Sequence, residues 1–150
     1  MQTYGGGNGY TICSGSFGNT IPIWDIETTK QFNIFKGHTD YVRSVKHGSN
    51  ELLNTILSGS HDKSVRLCDI RSNKQIQAFN EHTSALFVEY SPFVIVNNDG
   101  VVGGSSNVMY SGSCDNTIRF WDIRSNKNQL YVIKGDRKED KEIISFKLYH

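Results

Sequence analysis

Residues 107–124 have the sequence NVMYSGSCDNTIRFWDIR, which predicts two short β-strands joined by a tight turn. The first strand begins at Val108 and leads into Ser-Gly-Ser. The turn is Cys114-Asp115-Asn116, because Asp and Asn side chains bond the local backbone and tolerate a left-handed conformation. From Thr117 to Ile123, β-branched and aromatic residues alternate with a period of two, which is typical of a strand.

The same pattern occurs twice more, as TICSGSFGNTIPIWDIE at 11–27 and TILSGSHDKSVRLCDIR at 55–71. The Ser-Gly-Ser motif and the residue before Asp-Ile repeat with the same two offsets, 44 and then 53 residues. The extra nine residues of the third copy therefore lie outside the hairpin, in the segment SPFVIVNNDGVVGGSS at 91–106. A period of this length indicates a repeat architecture in which each copy is one supersecondary unit.

Each complete unit is predicted to contain four strands, and no segment has a helical pattern. The predicted strands are Tyr10–Ser14, Thr20–Asp25 and Gln31–Phe35; Tyr41–His47, Leu52–Ser58, Ser64–Asp69 and Gln75–Phe79; Ala85–Ser91, Val108–Ser111, Thr117–Ile123 and Gln129–Ile133; and Glu142–Tyr149. The repeat units are approximately 1–35, which is incomplete, then 36–79, 80–133 and the start of a fourth at 134–150. The fold class is therefore predicted to be all-β.

Composition excludes several classes of partner. The formal net charge is +1, with both signs spread along the chain, so neither nucleic acid nor an anionic membrane is indicated. No apolar run approaches the roughly 20 residues that span a bilayer. The start, MQTYGGGNGY, lacks the charged and apolar regions of a signal peptide. We expect a cytoplasmic or nuclear protein.

Cofactor and metal sites are not indicated either. The three cysteines, Cys13, Cys68 and Cys114, are far apart and form no C-x-x-C pair, so we expect reduced thiols. The histidines at 47, 61 and 150 have no Cys or carboxylate at ligand spacing. The glycine-rich YGGGNG precedes a strand, whereas a phosphate-binding loop precedes a helix.

The repeated Gly-His, Ser-Gly-Ser, turn Asp and Trp-Asp together resemble the WD-repeat β-propeller family. The resemblance covers nearly the whole chain and implies a partial, unclosed propeller of four-stranded antiparallel blades. In that family a His, a Ser or Thr, the turn Asp and the Trp form a hydrogen-bonded tetrad in each blade. By position, the third repeat has the full structural tetrad, and the second lacks only the Trp: His82, Ser111, Asp115 and Trp121, then His38, Ser58 and Asp62 with Cys68 in place of Trp.

The other repeats depart further from the family pattern. The first has Trp24 but Gly18 at the Asp position, and Pro22 lies inside a predicted strand, where it removes a backbone donor. The fourth shows Gly135-Asp136 where Gly-His would stand. We expect these blades to be less stable than the third.

His82, Ser111 and Asp115 are also the residue types of a nucleophilic triad. A nucleophilic Ser must be exposed in a cleft, whereas this one is predicted to lie within a strand and recurs in every copy. The recurrence favours a structural role, so we expect a non-catalytic protein-interaction scaffold with no catalytic residue, metal or cofactor. A hydrolase that uses the triad-like residues is the less favoured enzyme alternative.

The resemblance also implies where other proteins would bind. One face of a propeller carries the turns between the second and third strands together with the loops entering the first strand. Here that face would display Phe17, Tyr41, His61, Lys63, Ser84, Cys114 and Asn116. The opposite face would carry the apolar PFVIV run of the insertion.

Trp121-Asp122-Ile123-Arg124 resembles the WD-x-Arg box of propellers that dock on the adaptor of cullin–RING ubiquitin ligases. Arg124, with Arg71 as a second copy, is therefore a candidate docking residue, and a ligase substrate receptor is the alternative function. Because closed propellers need at least four blades, we also expect the missing blades to come from a longer chain or from self-association.

Overall fold

The computed structural model of the chain describes residues 10–49, 52–80, 82–91, 95–97, 100–103, 107–124, 129–136 and 143. Within these ranges the ordered structure is all-β, in thirteen strands. They are β1 (Thr11–Cys13), β2 (Ile21–Asp25), β3 (Gln31–Phe35), β4 (Val42–His47), β5 (Thr55–Ser60), β6 (Val65–Asp69), β7 (Lys74–Phe79), β8 (Ala85–Tyr90), β9 (Ile95–Asn97), β10 (Gly100–Gly103), β11 (Val108–Ser113), β12 (Thr117–Asp122) and β13 (Gln129–Lys134).

The strands form three antiparallel meanders and one small hairpin. The first sheet has the order β1-β2-β3, the second β4-β5-β6-β7, and the third β8-β11-β12-β13. None of these sheets closes on itself, as the sequence predicts for separate blades of an open propeller. The β9–β10 hairpin lies within the 91–106 insertion, between the first and second strands of the third sheet. No described helix has the length and apolar character needed to cross a membrane.

The strands lie close to their predicted positions, with one systematic difference. The second strand of each complete blade runs to the end of Ser-Gly-Ser: β5 ends at Ser60 and β11 at Ser113, whereas the sequence placed both ends two residues earlier. β5 also begins at Thr55, so the predicted start at Leu52 is wrong. All residues of both strands are buried, because each strand lies in the interior of its sheet and packs against a neighbouring blade.

The first two Ser-Gly-Ser glycines allow adjacent sheets to approach closely, whereas the third, Gly112, makes room for Phe87 of its own sheet. A Cβ on Gly15 would collide with the backbone carbonyl oxygen of Val42 in the second sheet. A Cβ on Gly59 would lie 3.0 Å from the Val88 side chain in the third. Glycine is therefore required at both positions by packing between blades; Gly59 lies within β5, whereas Gly15 follows the end of β1 at Cys13.

The tight turns after these strands repeat one backbone geometry. Asn19, Lys63 and Asn116 occupy the same position of their repeats, and each has a positive φ, of 63°, 72° and 60°. Asn adopts this left-handed conformation at low cost, whereas Lys is strained there. The turn geometry is thus kept even where the favoured residue is replaced.

Two apolar cores lie between successive sheets. The first contains Ile21, Ile23 and Phe35 of the first sheet with Val42, Ile56 and Cys68 of the second. The second core joins the second and third sheets and contains Leu57, Val65, Leu67, Phe79, Ala85, Val88, Met109 and Trp121. Each blade thus buries its apolar side chains against the next blade, as in other repeat proteins.

Several predicted features fall outside the described residues. They include the YGGGNG segment, Glu81 and nearly all of the predicted strand Glu142–Tyr149. Ile143 of that strand is described, and its N–H donates to the Ser113 carbonyl at 3.3 Å. Val42 makes the equivalent bond to Ser16 at 3.1 Å, where the second blade meets the first.

Candidate functional site

The third blade brings its four tetrad residues into one hydrogen-bonded chain. The Trp121 indole Nε1–H donates to Ser111 Oγ at 3.0 Å, and Ser111 Oγ lies 2.7 Å from His82 Nε2. His82 Nδ1 lies 3.3 Å from Asp115 Oδ2. His82 comes from the loop before β8, Ser111 from β11, Asp115 from the following turn and Trp121 from β12.

The direction of each bond follows from what each group can donate. A carboxylate only accepts, so His82 donates its Nδ1–H to Asp115, which leaves Nε2 as an acceptor for the Ser111 hydroxyl. Ser111 then accepts the indole N–H with its oxygen. One neutral histidine tautomer therefore satisfies every member of the chain.

Asp115 also holds the turn and the preceding loop. Its Oδ1 accepts the Thr117 hydroxyl and, at 3.0 Å, the Thr117 N–H. Its Oδ2 accepts the Thr83 N–H at 3.3 Å, beside the His82 ring. Burial alone would raise the pKa of Asp115, but the bonds from Thr117 and His82 lower it below its usual value. The carboxylate thus joins the loop before β8 to the turn between β11 and β12.

The second blade has the same His–Ser–Asp arrangement, with a shorter His–Asp contact. His38 Nδ1 lies 2.8 Å from Asp62 Oδ2, and His38 Nε2 lies 2.8 Å from Ser58 Oγ. Burial would raise the pKa of Asp62, but hydrogen bonds from Ser64, the Thr39 N–H and His38 lower it to about 2. The pKa of His38 is lowered, mainly because burial disfavours its charged form. The pair is therefore a neutral imidazole beside a carboxylate.

Cys68 occupies the tryptophan position of the second blade. Its side chain is buried against the first sheet, and burial raises the pKa of its thiol to about 11. No indole donates to Ser58; its Oγ lies 2.8 Å from His38 Nε2 and 3.4 Å from the Arg66 carbonyl oxygen. A small, buried cysteine side chain thus replaces the tryptophan of the family pattern in this blade.

The first blade retains only the Trp–Ser half of the hydrogen-bonded tetrad. Trp24 Nε1–H donates to Ser14 Oγ at 3.1 Å, as Trp121 does to Ser111. Gly18 replaces the Asp, and Pro22 stands where the other blades have arginine. The Pro22 carbonyl accepts the Ser14 N–H at 3.1 Å, but its ring nitrogen cannot return a bond, and β1 ends at Cys13.

Those arginines are functional neighbours that the sequence analysis did not recognise. Arg66 Nη2 lies 3.5 Å from Asp62 Oδ2, and Arg119 Nη2 lies 3.8 Å from Asp115 Oδ2. The first blade therefore lacks both the carboxylate and its guanidinium, so no buried charge is left without its partner. Comparing positions 22, 66 and 119 across the repeats would have revealed this paired loss.

The burial of the serines bears on the nucleophilic alternative. Ser58 and Ser111 are both 0% exposed. A substrate carbonyl cannot approach an oxygen that is enclosed between two sheets and already shared with an indole or a histidine. The geometry favours a structural role for the His-Ser-Asp set.

Three of the predicted interaction residues lie together at the junction of the first two sheets. The rings of Phe17 and Tyr41 are 4.9 Å apart in a T-shaped arrangement, and those of Tyr41 and His61 are 6.3 Å apart. Phe17 is 77% exposed and Tyr41 is 42% exposed. Asp40, which the sequence analysis missed, extends this group, because its Oδ2 lies 3.5 Å from His61 Nδ1. We call Phe17, Asp40, Tyr41 and His61 the aromatic cluster.

The remaining residues predicted for that face differ in exposure. Lys63 is exposed and Cys114 is partly buried. Ser84 and Asn116 are only 4% and 3% exposed, so the expectation that this face displays them is wrong. Asn116 is covered because Gly135 packs directly on its amide and donates its N–H to the Asn116 carbonyl at 2.9 Å.

Arg71 and Arg124 lie at the opposite ends of the strands from the aromatic cluster. Asp69 Oδ1 accepts the Arg71 N–H at 3.2 Å. Asp122 accepts the Arg124 N–H at 2.9 Å and both the Nε and Nη2 of its guanidinium at 3.3 Å. The Arg124 side chain is nevertheless 56% exposed. Among the described residues, no group of His, Cys, Asp and Glu side chains is arranged to hold a metal ion.

These repeated antiparallel meanders, packed on one another through apolar cores and each carrying all or part of the hydrogen-bonded tetrad, define a repeat protein of the β-propeller class. A family model described as WD domain, G-beta repeat, matches residues 29–69 and 73–122. The chain therefore belongs to the WD-repeat family, whose members generally act as non-catalytic scaffolds for protein–protein interactions. Each matched segment combines the last strand of one sheet with the first three of the next. A comparison with curated protein sequences finds no match.

Proposed function

We propose that the chain is a protein-interaction scaffold whose partner binds at the aromatic cluster. The observation that supports this is the contiguous exposure of Phe17 and Tyr41 beside a carboxylate and an imidazole. Aromatic side chains with polar neighbours are enriched among the residues that dominate protein interfaces. The equivalents of Phe17 in the next blades are His61 and Cys114. Of these three positions, only the one at the junction of the first two sheets therefore carries a large apolar side chain.

A comparison of affinity-purified complexes tests this proposal. Wild-type protein and the F17A/Y41A double variant are used to capture partners from the native cell, and bound proteins are quantified by mass spectrometry. We expect a defined set of proteins to be lost from the double variant and kept by I76S. Ile76 is a suitable control because it is 55% exposed and lies on β7, outside the aromatic cluster. Equal recovery with wild type and F17A/Y41A contradicts the proposal.

Apolar side chains are exposed on the outer faces of the first and third sheets. On the first sheet, Ile12 and Trp24 are directly paired across β1 and β2 and are 53% and 39% exposed. On the third sheet, Ile133 is 52% exposed, whereas the equivalent residues Phe35 and Phe79 are buried in the two cores. We propose that further blades, from a longer polypeptide or a second copy, cover these faces. A blade from a longer polypeptide and a blade from a second copy would each cover these residues with the apolar face of a sheet.

A substrate receptor of a cullin–RING ubiquitin ligase is the second candidate function. What supports it is the exposed guanidinium of Arg124, oriented by two bonds to Asp122. Co-purification of the ligase adaptor with wild-type protein, lost in R124A at unchanged melting temperature, is the expected result. Wild-type protein that never retains the adaptor contradicts this function, whatever the variant does.

A further inference from the structure

The first sheet has an open edge at β1. Its order is β1-β2-β3, whereas each of the other two blades has a further strand, β4 or β8, beside the strand equivalent to β1. The Tyr10 carbonyl and the Ser14 N–H both form bonds of 3.1 Å toward the β2 side. Because antiparallel bonds alternate along a strand, Thr11 and Cys13 direct their backbone groups to the other side, where no described strand pairs with them. This edge can therefore accept an added strand.

The C-terminal segment matches β4 in sequence and in one backbone contact. The Ile143 N–H donates to the sheet that precedes it at 3.3 Å, as the Val42 N–H does at 3.1 Å. When the chain is aligned on these two residues, VRSVK at 42–46 corresponds to IISFK at 143–147. Both segments have an apolar residue at the first and fourth positions, Ser at the third and Lys at the fifth. The C-terminal segment is therefore equivalent to the first strand of a blade that follows the third sheet.

We propose that two copies of the chain form a closed, six-bladed ring in which residues 142–149 of one copy pair with the open edge of β1 of the other. The ring rests on the proposed function, in which further blades cover the outer faces, and it identifies those blades as a second copy. Each copy contributes three blades, and six lies within the range of about four to eight that closed propellers use. A head-to-tail contact that closes after two copies leaves neither outer face uncovered.

The ring would bury the two outer faces on each other. In the second core, the Phe79 and Trp121 rings lie 5.1 Å apart on opposite sides of a blade junction. Ile133 and Trp24 occupy the equivalent positions on the two outer faces and are 52% and 39% exposed. In the ring, Ile133 of one copy packs on Trp24 of the other, with Ile12 beside it. The new junction therefore has the same apolar character as the two existing cores.

The register of the added strand follows from β4. Lys46 of β4 pairs with Leu57 of β5, and Cys13 is the equivalent of Leu57 in the first blade. Lys147 of one copy therefore lies directly across from Cys13 of the other. Because Lys46 and its equivalent Glu89 contact each other across a junction at 2.6 Å, Lys147 also lies near Lys46 of the second copy. The Lys46 side chain is 46% exposed, so solvent and salt screen this repulsion.

The mass of the chain in solution tests the proposal without any substitution. Gel filtration with light scattering should give a single species of twice the 16.9 kDa chain mass, and this species should bind little apolar dye. A monomer overturns the ring, as does an open series of larger oligomers. A monomer that binds dye would still have uncovered outer faces and an intact aromatic cluster. Failure of the ring is therefore distinguishable from failure of the proposed function.

Disulfide cross-linking tests the register, with C114S as the parent of every variant. After oxidation with copper phenanthroline, K147C should give a disulfide-linked dimer through Cys13, because paired residues lie about 5.5 Å apart at Cα. L148C is the matched control, since adjacent side chains of a strand point to opposite faces of the sheet. K147C/C13S should give no linked dimer. A dimeric K147C that does not link to Cys13, a link within one chain, or equal linking by L148C overturns the proposal.

Discussion

Trp24 and Trp121 occupy the same position of two repeats and make the same bond to a serine, yet their exposure is opposite. Trp121 is 0% exposed and its ring centroid lies 5.1 Å from that of Phe79 on the preceding blade. Trp24 is 39% exposed and has no described blade in front of it. The difference comes from the neighbouring sheet and not from the tryptophan or its own hairpin.

This difference predicts unequal costs of truncation. Trp121→Ala should lower the free energy of unfolding by about 3–5 kcal/mol, because it leaves a cavity between two blades. Trp24→Ala should cost clearly less, since much of its side chain already contacts water. Urea unfolding followed by circular dichroism measures both. Equal costs would mean that Trp24 is covered in solution.

Removing the turn carboxylate should destabilise the blade. Asp62→Ala leaves the Thr39 N–H, the Ser64 N–H and the His38 Nδ1–H without their acceptor. Each unmade buried bond costs about 1–3 kcal/mol, and Asp115→Ala should behave in the same way. Thermal melting measures both, with Asp40→Ala as an exposed control. A neutral Asp62→Ala would show that the tetrad does not stabilise its blade.

The stability should fall as the pH is lowered, in two stages. The pKa of His38 is lowered from 6.5, so below about pH 6.5 the unfolded chain takes up a proton before the folded chain does. A second loss follows below the ordinary 3.8 of an Asp, as the pH approaches the value of about 2 for Asp62. Melting temperatures recorded across this range should show both stages, and H38Q should weaken the first. A flat profile in the wild type contradicts the assignment.

The cysteines should differ in reactivity. Cys68 is 5% exposed with its thiol pKa raised to about 11, so little thiolate is present or accessible near neutral pH. Cys114, which is partly buried in a turn, should react first with iodoacetamide. Peptide mass spectrometry before and after unfolding in urea measures the order. Labelling of Cys68 in the folded protein at the rate of Cys114 would contradict its enclosure between the first two sheets.

The exposed sheet ends should drive association. Light scattering on the 150-residue chain should detect oligomers, or a fluorescent dye should detect exposed apolar surface. The reason is that Ile12, Trp24 and Ile133 have no described cover. Replacing Ile12 or Ile133 by Asp should reduce association without changing the tetrads. A soluble, cooperative monomer that binds no dye would contradict the proposal that further blades complete the molecule.

The repeat offsets predicted most of the fold because they record strand order and turn chemistry within one blade. Burial that depends on a neighbouring blade was predicted less well. Asn116 looked like an exposed turn residue, yet Gly135 covers it. The cavity that Phe32 and Leu53 line between the first two sheets could not be predicted from the sequence, since these residues come together only after the sheets pack. The sequence likewise did not indicate that β5 continues through Gly59 to Ser60, because this depends on the register in which Ser60 pairs with Val42 of β4.

Each matched segment takes its first strand from one sheet and its other three from the next. A duplication or deletion of one such segment in the gene would therefore change the number of blades while leaving every junction with the same composition. The His38–Asp62 pair would travel within the duplicated unit, together with the loop it fastens. A cut at the edge of a sheet would instead separate His38 from the strand that precedes it. Because the matched segment starts one strand before the sheet boundary, whole repeats can be added or removed without disrupting a blade, whereas a cut at the sheet boundary disrupts one.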